Sequence, residues 1–516
     1  MARMTRLSRL ALLLFPALLA AQRAPDPAAL RAKVRAWRSA HDVVVLNELR
    51  DLLAIPNLAT DSAHIRENAR AVAALMEKRG IHAQLLEAPG SPPAVFGELK
   101  VPGATRTVVL YAHYDGQPVD TAKWATPPWR PVLRDTALDA GGKEVAWPIA
   151  PGSVQGQWRL YARSASDDKS PIVVMLSALD ALKASNVIPR VNLRFFFEGE
   201  EEAGSAHLAD MLARHKDVLG GADLWLFADG PVHQSRRQQI VYGVRGVTGV
   251  ELTAYGAARP LHSGHYGNWA PNPIVRLSEL LASMRDGDAN IRIAHYMDDV
   301  VPPTAAERRA IAAVPAVDSQ LRAELLIARP EGGDTPYLER LLLPALNVRG
   351  FQAGLTGAGA SNQIVTEAHA SIDFRLVPNE TPERIRTLVE AHARAQGWFV
   401  THDTPTPAER LAHDRVLRVQ WEEGGYPAVR TPIDAPVSRA VSAAVRDALG
   451  APAIELPSLG GSLPLWDFSR ILGAPLVVLP IVNHDNNQHG SNENVRLQNV
   501  FDGIELYAGV MAGLRW

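Results

Sequence analysis

Three short segments of this chain place carboxylate or imidazole side chains directly behind an apolar or β-rich run. They are Tyr111-Ala-His-Tyr-Asp115, Ser166-Asp-Asp-Lys169 and Phe197-Glu-Gly-Glu-Glu-Glu-Ala-Gly-Ser205. A carboxylate beside a buried strand costs several kcal/mol unless it is paired or bound to a metal. Its repeated placement where strands end therefore requires a compensating charge. The pattern predicts a metal site, and it limits the fold to one that brings strand ends together.

Composition limits the kinds of protein that can carry such a site. The chain has 516 residues, of which 47% are hydrophobic, and this is enough for two domains rather than one ordinary core. Its 53 Lys and Arg residues nearly balance 55 Asp and Glu residues, and no long basic run follows the amino terminus. An electrostatic surface for nucleic acid is therefore not expected, and a small polar substrate is favoured.

The sequence contains no cysteine. Disulfides, thiolate zinc ligands, a cysteine nucleophile and a lipidated amino-terminal cysteine are thus excluded together. Any metal must be held by His, Asp or Glu.

The first residues have the order of a secretory signal. Arg3, Arg6 and Arg9 precede the apolar run from Leu10 to Ala20, and a small-residue pair ends it at residue 21. The run is too short to span a bilayer. A buried amino-terminal helix is the alternative interpretation. We expect residues 1–21 to be a signal peptide and the mature chain, without a stable membrane span, to be periplasmic or secreted.

Periodicity predicts an α/β domain. Helical patterns cover residues 34–53, 65–79, 171–183 and 205–215, and β-rich runs cover residues 107–111, 191–197 and 223–228. This alternation is typical of a mixed, largely parallel sheet with helices on both faces, whose sites lie outside the carboxyl ends of the strands. His113, Glu201, Glu202 and Asp229 all follow predicted strands.

The pattern changes in the middle of the chain. Strands are predicted at 247–255 and 368–376, and helices at 273–284 and 381–395, before a helix at 437–449 and a buried strand at 474–482. We interpret residues 246–424 as an inserted α+β lid and dimerisation domain. It interrupts a catalytic domain formed by residues 26–245 and 425–516.

The polar motifs occur in a recognisable order. The segments are His113-Tyr-Asp115, Ser166-Asp-Asp-Lys169, Glu198-Gly-Glu-Glu-Glu202-Ala-Gly-Ser205, Asp229, His262-Ser-Gly264, Arg375-Leu-Val-Pro-Asn379, Gly460-Gly-Ser-Leu-Pro464 and His489-Gly-Ser-Asn-Glu493. In this order and spacing the chain resembles the di-zinc metallopeptidases that include aminoacylases, carnosinases, glutamate carboxypeptidases and desuccinylases. It is most similar to the carnosinase-like dipeptidase branch, and the resemblance covers nearly everything after residue 21.

The resemblance implies a set of five metal ligands. Asp167 would bridge two zinc ions, and it is chosen over Asp168 because the pattern in the family is Asp-x-Lys. The remaining ligands would be His113 and Asp229 for one ion and Glu202 and His489 for the other. These N and O donors also accept Co²⁺ or Mn²⁺. The resemblance further implies that Asp115 orients the imidazole of His113, and that the peptide bond between residues 167 and 168 is cis.

The resemblance also implies roles in catalysis and substrate binding. Glu201 would be the general base and His262 would donate to the oxyanion of the tetrahedral intermediate. In carnosinase-like relatives this histidine comes from the partner subunit, so a homodimer formed through the inserted domain is expected. Arg375 and Ser462 would bind the free carboxylate of the substrate, because the planar guanidinium binds carboxylates bidentately. Asn362 is expected to touch the substrate or the intermediate.

Each motif taken alone has an ordinary structural explanation. A His-x-Asp pair such as His113 and Asp115 usually lies on a surface, and Asp229-Gly230 is usually a turn. His489 lies in a polar stretch typical of a solvated loop, and Arg375 has the possible ion-pair partners Asp373 and Glu380. The joint occurrence of the motifs is what favours the catalytic interpretation.

We therefore expect an exported, homodimeric, di-zinc exopeptidase that cleaves dipeptides or the carboxyl-terminal residue of short peptides. A deacylase or desuccinylase of N-acyl amino acids is the main alternative, because it also attacks an amide beside a carboxylate. A non-catalytic binding protein of the same fold is a second alternative. A third is a serine enzyme that uses Ser166-x-x-Lys169, although the companion Lys-Thr-Gly motif is missing.

Overall fold

The computed structural model describes residues 26–516. The predicted signal peptide lies outside the described residues. Within the described part, no helix has both the length and the hydropathy that a membrane crossing would need.

The strands of residues 26–516 are numbered in chain order. They are β1 (Ala83–Leu86), β2 (Ala94–Leu99), β3 (Thr107–His113), β4 (Val132–Arg134), β5 (Arg159–Tyr161), β6 (Asn192–Glu198), β7 (Leu224–Phe227), β8 (Gln239–Val241), β9 (Gly243–Val244), β10 (Gly246–Tyr255), β11 (Leu261–His262), β12 (Ala345–Gln352), β13 (Gln363–Ile364), β14 (Glu367–Leu376), β15 (Phe399–Thr401), β16 (Val416–Trp421), β17 (Val429–Arg430), β18 (Ile454–Leu456), β19 (Leu476–Val478) and β20 (Asn494–Arg496).

The α-helices of the same region are numbered in the same way. They are α1 (Pro27–Leu53), α2 (Ser62–Glu77), α3 (Lys169–Ala184), α4 (Leu208–Arg214), α5 (Lys216–Leu219), α6 (Ser263–Tyr266), α7 (Pro273–Met284), α8 (Ala305–Ala312), α9 (Asp318–Glu324), α10 (Tyr337–Arg340), α11 (Pro382–Ala395), α12 (Pro407–Ala412), α13 (Pro436–Leu449), α14 (Leu465–Leu472) and α15 (Leu497–Gly513).

The first sheet has eight strands in the order β1-β2-β6-β3-β7-β19-β8-β18. Its centre is parallel, because β6, β3, β7 and β19 pair with one another in that direction. Helices α1, α3, α13 and α15 contribute side chains to the core on one face, and α4 and α14 cover the other. The predicted mixed, largely parallel sheet with helices on both faces is confirmed.

The sequence of β6 shows why this sheet is covered on both sides. Phe195 and Phe197 enter the core beneath α3 and α15, whereas Phe196 enters the core beneath α14. Successive side chains of a strand point to opposite faces. A continuous apolar run is therefore what a strand buried on both faces requires.

The second sheet has five strands in the order β12-β14-β10-β16-β15, and all its pairs except β15 with β16 are antiparallel. Strands β10 and β14 pair over ten residues, from Gly246 opposite Leu376 to Tyr255 opposite Glu367. Helices α7 and α11 pack against this sheet through residues such as Leu277 and Ile385. The predicted α+β architecture of the inserted region is confirmed, whereas the exact domain boundaries stay predictions.

The chain enters and leaves the second sheet at one place. It enters through β9 and β10, and on its return Tyr426 pairs with Val247 near the start of β10. Strand β17 then pairs with β9. The two crossings therefore lie side by side between the sheets.

Candidate metal centre

The parallel centre of the first sheet brings the predicted ligands to one edge. His113 is the last residue of β3, Glu202 lies in the short helical turn Glu201–Ala203 after β6, and Asp229 follows β7. Asp167 precedes α3, and His489 lies in the loop before β20. Since β3 lies between β6 and β7, the carboxyl ends of these strands converge.

The five side chains form two groups that share one residue. His113, Asp167 and Asp229 form the first group, and Asp167, Glu202 and His489 form the second, with the candidate ligand atoms of each group within 4.8 Å of one another. The Nε2 atom of His113 is 3.0 Å from Oδ1 of Asp167, and the Nε2 atom of His489 is 3.2 Å from its Oδ2. Asp167 thus directs one oxygen toward each group.

The remaining distances within the groups are similarly short. Nε2 of His113 is 3.8 Å from Oδ2 of Asp229, and Nε2 of His489 is 3.2 Å from Oε2 of Glu202.

The electrostatics of these residues fit bound cations. Burial raises the pKa of Asp229 to about 7 and that of Glu202 to about 8. Burial also opposes the ionisation of Asp167, but hydrogen bonds from His113 and His489 hold its pKa below the usual value. The buried Oε1 of Glu202 makes no hydrogen bond within residues 26–516. More acids than bases are therefore buried together, as expected where divalent metal ions supply the missing positive charge.

Asp115 connects a ligand to the neighbouring loop. Its Oδ1 lies 3.3 Å from Nδ1 of His113, and its two oxygens accept hydrogen bonds from the backbone nitrogens of Glu201 (3.1 Å) and Glu202 (3.0 Å). A carboxylate in this place fixes the orientation of the imidazole. The peptide bond between Asp167 and Asp168 is cis, as the resemblance implies.

Glu201 lies beside the ligands without belonging to either group. Its Oε2 is 3.9 Å from Nε2 of His113. Burial, together with the negative charges of Asp229, Glu202 and Asp167, raises its pKa well above the usual value. A buried carboxyl group of raised pKa is a suitable proton acceptor at neutral pH.

Arg375 and Ser462, the two residues predicted to bind the substrate carboxylate, lie together. Arg375, on β14, donates from one terminal nitrogen of its guanidinium to Oγ of Ser462 at 2.9 Å. Its Nε donates to Oδ2 of Asp373 at 2.8 Å, so the ion pair that the sequence allowed as an alternative is also present. The second sheet thus places a guanidinium against the Gly460–Ser462 loop.

His262 and Asn362 lie together, and neither belongs to the two groups of candidate ligands. Strand β11, which ends at His262, pairs with β13, and the carbonyl of Asn362 accepts from the nitrogen of Ser263 at 2.9 Å. The side chain of His262 is exposed. Across residues 26–516, no hydrogen bond or ion pair joins either residue to the five ligands.

Three further residues of this region had no role predicted from the sequence. Gln117 donates to Oε2 of Glu202 at 2.8 Å, and Glu493 accepts from the backbone nitrogen of Asp167 at 2.9 Å. Burial and then the negative charge of Glu201 raise the pKa of Tyr426 to about 12. Only Glu493 had a signal in the sequence, because it lies in the motif that contains His489.

Comparison with known proteins adds independent evidence. The model of "Peptidase family M20/M25/M40" matches residues 109–513. A Cys-Gly metallodipeptidase of Schizosaccharomyces pombe is 25% identical over 442 residues, covering 84% of this chain and 86% of the relative. The human Beta-Ala-His dipeptidase is 26% identical over 425 residues, covering 81% of this chain and 76% of the relative.

Solved structures show the same fold. An M20 family metallo-carboxypeptidase from Sulfolobus solfataricus superposes with a TM-score of 0.72 at 26% identity, covering 91% of this chain and 98% of that one. Human carnosine dipeptidase 1 superposes with a TM-score of 0.71 at 23% identity, covering 94% and 98% of the two chains.

Proposed function

We propose that this chain, which belongs to peptidase family M20/M25/M40, hydrolyses the peptide bond of dipeptides or the carboxyl-terminal bond of short peptides. The predicted family and the predicted metal-dependent peptidase are confirmed by the family match and by dipeptidase relatives that span most of the chain. The position of Asp167 between two groups of ligands is the observation that carries the proposal. A carboxylate with one oxygen toward each group suits a pair of metal ions.

The ligand set supports a two-metal site. His113 and Asp229 would hold one ion, Glu202 and His489 the other, and Asp167 both. Zinc suits these N and O donors, as do cobalt and manganese. When bound, such a pair of ions supplies a nucleophilic water at neutral pH and polarises the scissile carbonyl.

Glu201 is the proposed general base. Its carboxylate would accept the proton of the attacking water and then donate that proton to the leaving amine. Its raised pKa supports this role, because a higher pKa makes the carboxylate a stronger base. The backbone hydrogen bond to Asp115 holds this glutamate at the edge of the ligand groups.

Arg375 and Ser462 are the proposed binding site for the free carboxylate of the substrate. A guanidinium beside a hydroxyl offers charge-assisted hydrogen bonds, which are stronger than neutral ones. Two of the relatives are named for Cys-Gly and for Beta-Ala-His, and both substrates are dipeptides that end in a free carboxylate. This agreement favours an exopeptidase.

His262 is proposed to act across a homodimer, where it would donate to the oxyanion, with Asn362 beside it. Two observations support this arrangement. His262 is exposed, and within residues 26–516 no hydrogen bond or ion pair joins it to the proposed ligands. Strand β12, at the edge of the second sheet, exposes 42% of Val348 and 43% of Phe351, and an exposed apolar edge is suited to pairing with another copy.

A mixing experiment tests the dimer. Two inactive variants, Glu201→Gln and His262→Ala, are combined and allowed to exchange subunits. If His262 acts across the interface, one of the two sites in each mixed dimer is intact and activity returns. Activity that stays absent although sequential affinity purification of two differently tagged variants recovers mixed dimers would contradict the proposal.

We further propose that the mature chain is exported. The basic and apolar order of residues 1–21 supports this. Cell fractionation, followed by amino-terminal sequencing of the protein from the periplasm or medium, tests it. Recovery of the full-length chain from the cytoplasm alone would contradict it.

The proposed activity is tested by hydrolysis of a dipeptide panel before and after metal removal. Activity should disappear with a chelator and return with zinc, at about two metals per chain. N-acetyl and N-succinyl amino acids are measured in parallel, because Arg375 and Ser462 would bind their carboxylates equally well. Cleavage of these and not of dipeptides would instead establish the deacylase. Metal binding without any turnover would favour a binding protein.

A further inference from the structure

Arg245 lies where the chain crosses from the first sheet into the second. It directly precedes β10, and its Nε donates to the carbonyl of Gly460 at 2.9 Å. Its backbone nitrogen donates to the carbonyl of Gly461 at 3.3 Å. The same loop carries Ser462, so this arginine contacts the loop proposed to bind the substrate carboxylate.

Arg245 and Arg375 point to the same side of the second sheet. Val247 is directly opposite Arg375 in the pairing of β10 with β14. Side chains alternate along a strand, so Arg245, two residues before Val247, shares the face of both. Gly246 is buried, whereas Arg245 and Val247 are only half-buried, which shows that this face borders open space.

The two guanidiniums share an acidic neighbour. Asp373 is bonded to Nε of Arg375, and its charge also reaches Arg245. Burial and then the positive charge of Arg375 lower the pKa of Arg245. Arg245, Arg375 and Asp373 together carry one net positive charge, which one further carboxylate would neutralise.

Arg245 also has free donors. Arg375 uses its Nε for Asp373 and one terminal nitrogen for Ser462. Arg245 uses only its Nε, and within the part of the chain that the structure describes its two terminal nitrogens make no hydrogen bond. One of these nitrogens lies 3.7 Å from the position that a Cβ would take at Gly460.

We propose that Arg245 is a second binding group for the terminal carboxylate of the substrate, which it shares with Arg375. This inference rests on the proposed function. Two guanidiniums that approach one carboxylate from either side select a free carboxylate over an amide more strongly than one does.

The test compares a dipeptide with its carboxyl-terminal amide. For Arg245→Met, which keeps much of the aliphatic stem, KM for the free dipeptide should rise by about tenfold or more, because a charge-assisted hydrogen bond is lost. The kcat should stay within about twofold, since the reacting atoms are not touched. The kcat/KM for the amide should change by less than about twofold. Arg245→Lys keeps the charge, so its KM for the free dipeptide should lie between the KM of the wild type and that of Arg245→Met.

Arg285→Met is the matched control. Arg285 lines the same cavity of about 440 Å³ as Arg245, but it is already paired with Glu331 at 2.6 Å. This variant should not change the preference for the free dipeptide. If Arg245→Met weakens the acid and the amide equally, Arg245 only positions the Gly460–Ser462 loop and the proposal is overturned. Unchanged kinetics would overturn it as well.

A binding measurement separates this inference from the proposed activity. Calorimetry on the zinc-loaded Glu201→Gln variant, with and without Arg245→Met, gives the Kd for the dipeptide and for its amide. If Arg245→Met weakens binding of the free dipeptide and not of its amide, the role of Arg245 is supported, even where the wild-type protein hydrolyses no dipeptide. If the Kd for the free dipeptide is the same with and without Arg245→Met, the role of Arg245 is excluded, even where the wild-type protein hydrolyses dipeptides.

Discussion

The buried carboxylate of Glu493 accepts a hydrogen bond of 2.9 Å from the backbone nitrogen of Asp167. The same carboxylate accepts from the backbone nitrogens of Ser164 and Ser166 at 2.9 Å, from Oγ of Ser166 at 2.8 Å and from Arg163 at 2.8 Å. One side chain therefore holds the segment before α3 in place. Because Glu493 follows His489 in its loop, it connects two of the chain segments that carry proposed ligands.

Glu493→Gln should weaken both the fold and the metal site. The amide accepts with only one of its two polar atoms, so buried donors lose partners and Arg163 loses its counter-charge. The free energy of unfolding should fall by about 2–4 kcal/mol. Metal affinity should fall about 10–100-fold, because Asp167 is no longer held. Urea unfolding and zinc titration measure the two effects. Glu423→Gln, at an exposed glutamate, is the control. If Glu493→Gln binds zinc as tightly as the wild type does, the prediction is wrong.

Glu201→Gln should separate metal binding from turnover. The variant should retain about two metals per chain. Its kcat should fall by a factor of about 10²–10⁴, the range for a missing general base. The adjacent Glu200→Gln is a stringent control, because Glu200 is bonded to His207 at 2.7 Å and should not be needed for proton transfer. Metal analysis and steady-state kinetics are the measurements. Near-native turnover of Glu201→Gln would exclude this residue as the base.

Protein stripped of metal by a chelator should lose stability as the pH rises. The pKa values of Asp229 and Glu202 are raised to about 7 and about 8, so the folded state binds more protons than the unfolded state between about pH 4 and pH 8. The free energy of unfolding should therefore fall across this window. His489, whose pKa is raised to about 8 chiefly by Asp167, acts in the same direction.

Zinc should reverse this trend, because its ligands must be deprotonated and its stabilisation grows with pH. Urea unfolding at pH 5, 6, 7 and 8, with chelator and with zinc, measures both slopes. Glu202→Gln should show a shallower fall than wild type in chelator. Rising stability of the stripped wild-type protein from pH 5 to pH 8 would refute the argument.

Phe468→Ala should be strongly destabilising. This side chain of α14 is fully buried, and its ring centre lies 4.9 Å from that of Trp225 and 5.2 Å from that of Phe227. The resulting cavity should lower the free energy of unfolding by about 3–5 kcal/mol. Urea unfolding measures it, and Leu411→Ala, at a residue 89% exposed, is the control. A loss below about 1 kcal/mol would show that α14 does not depend on this contact.

Much of the first sheet could be predicted because its strands are continuous apolar runs. Strand β3 begins at Thr107 as expected, and β6 lies within one residue of the expected range. The residues after these strands could also be placed, since parallel strands end at one edge of the sheet. Helix α7 has the predicted bounds, because Pro273 follows the capping residue Asn272.

The prediction was wrong where proline or backbone geometry overrides the pattern. Residues 474–482 were predicted as one strand, but the continuous strand runs only from Leu476 to Val478, since Pro475 and Pro480 flank it and proline has no N–H for the ladder. The helix predicted from Ser205 begins at Leu208, because Ser205 has a positive φ of 51°.

Other features depend on contacts that no local pattern contains. Nothing near Arg245 or Tyr426 in the sequence indicates that Arg375 and Tyr426 both pair with Val247, two residues after Arg245. Glu493 lies in the predicted motif that contains His489, but its role could not be predicted, because its hydrogen-bond partners are distant in the sequence.

The order of the strands has a consequence for biosynthesis. Strand β19 lies between β7 and β8 in the middle of the first sheet, and His489 follows it in the chain. At a translation rate of about 5–20 residues per second, roughly 10 to 50 s separate the emergence of Asp229 from that of His489. During that time the nascent chain carries early ligands without their last partner. The group of Asp167, Glu202 and His489 is thus completed only after the second sheet has been made and the chain has returned.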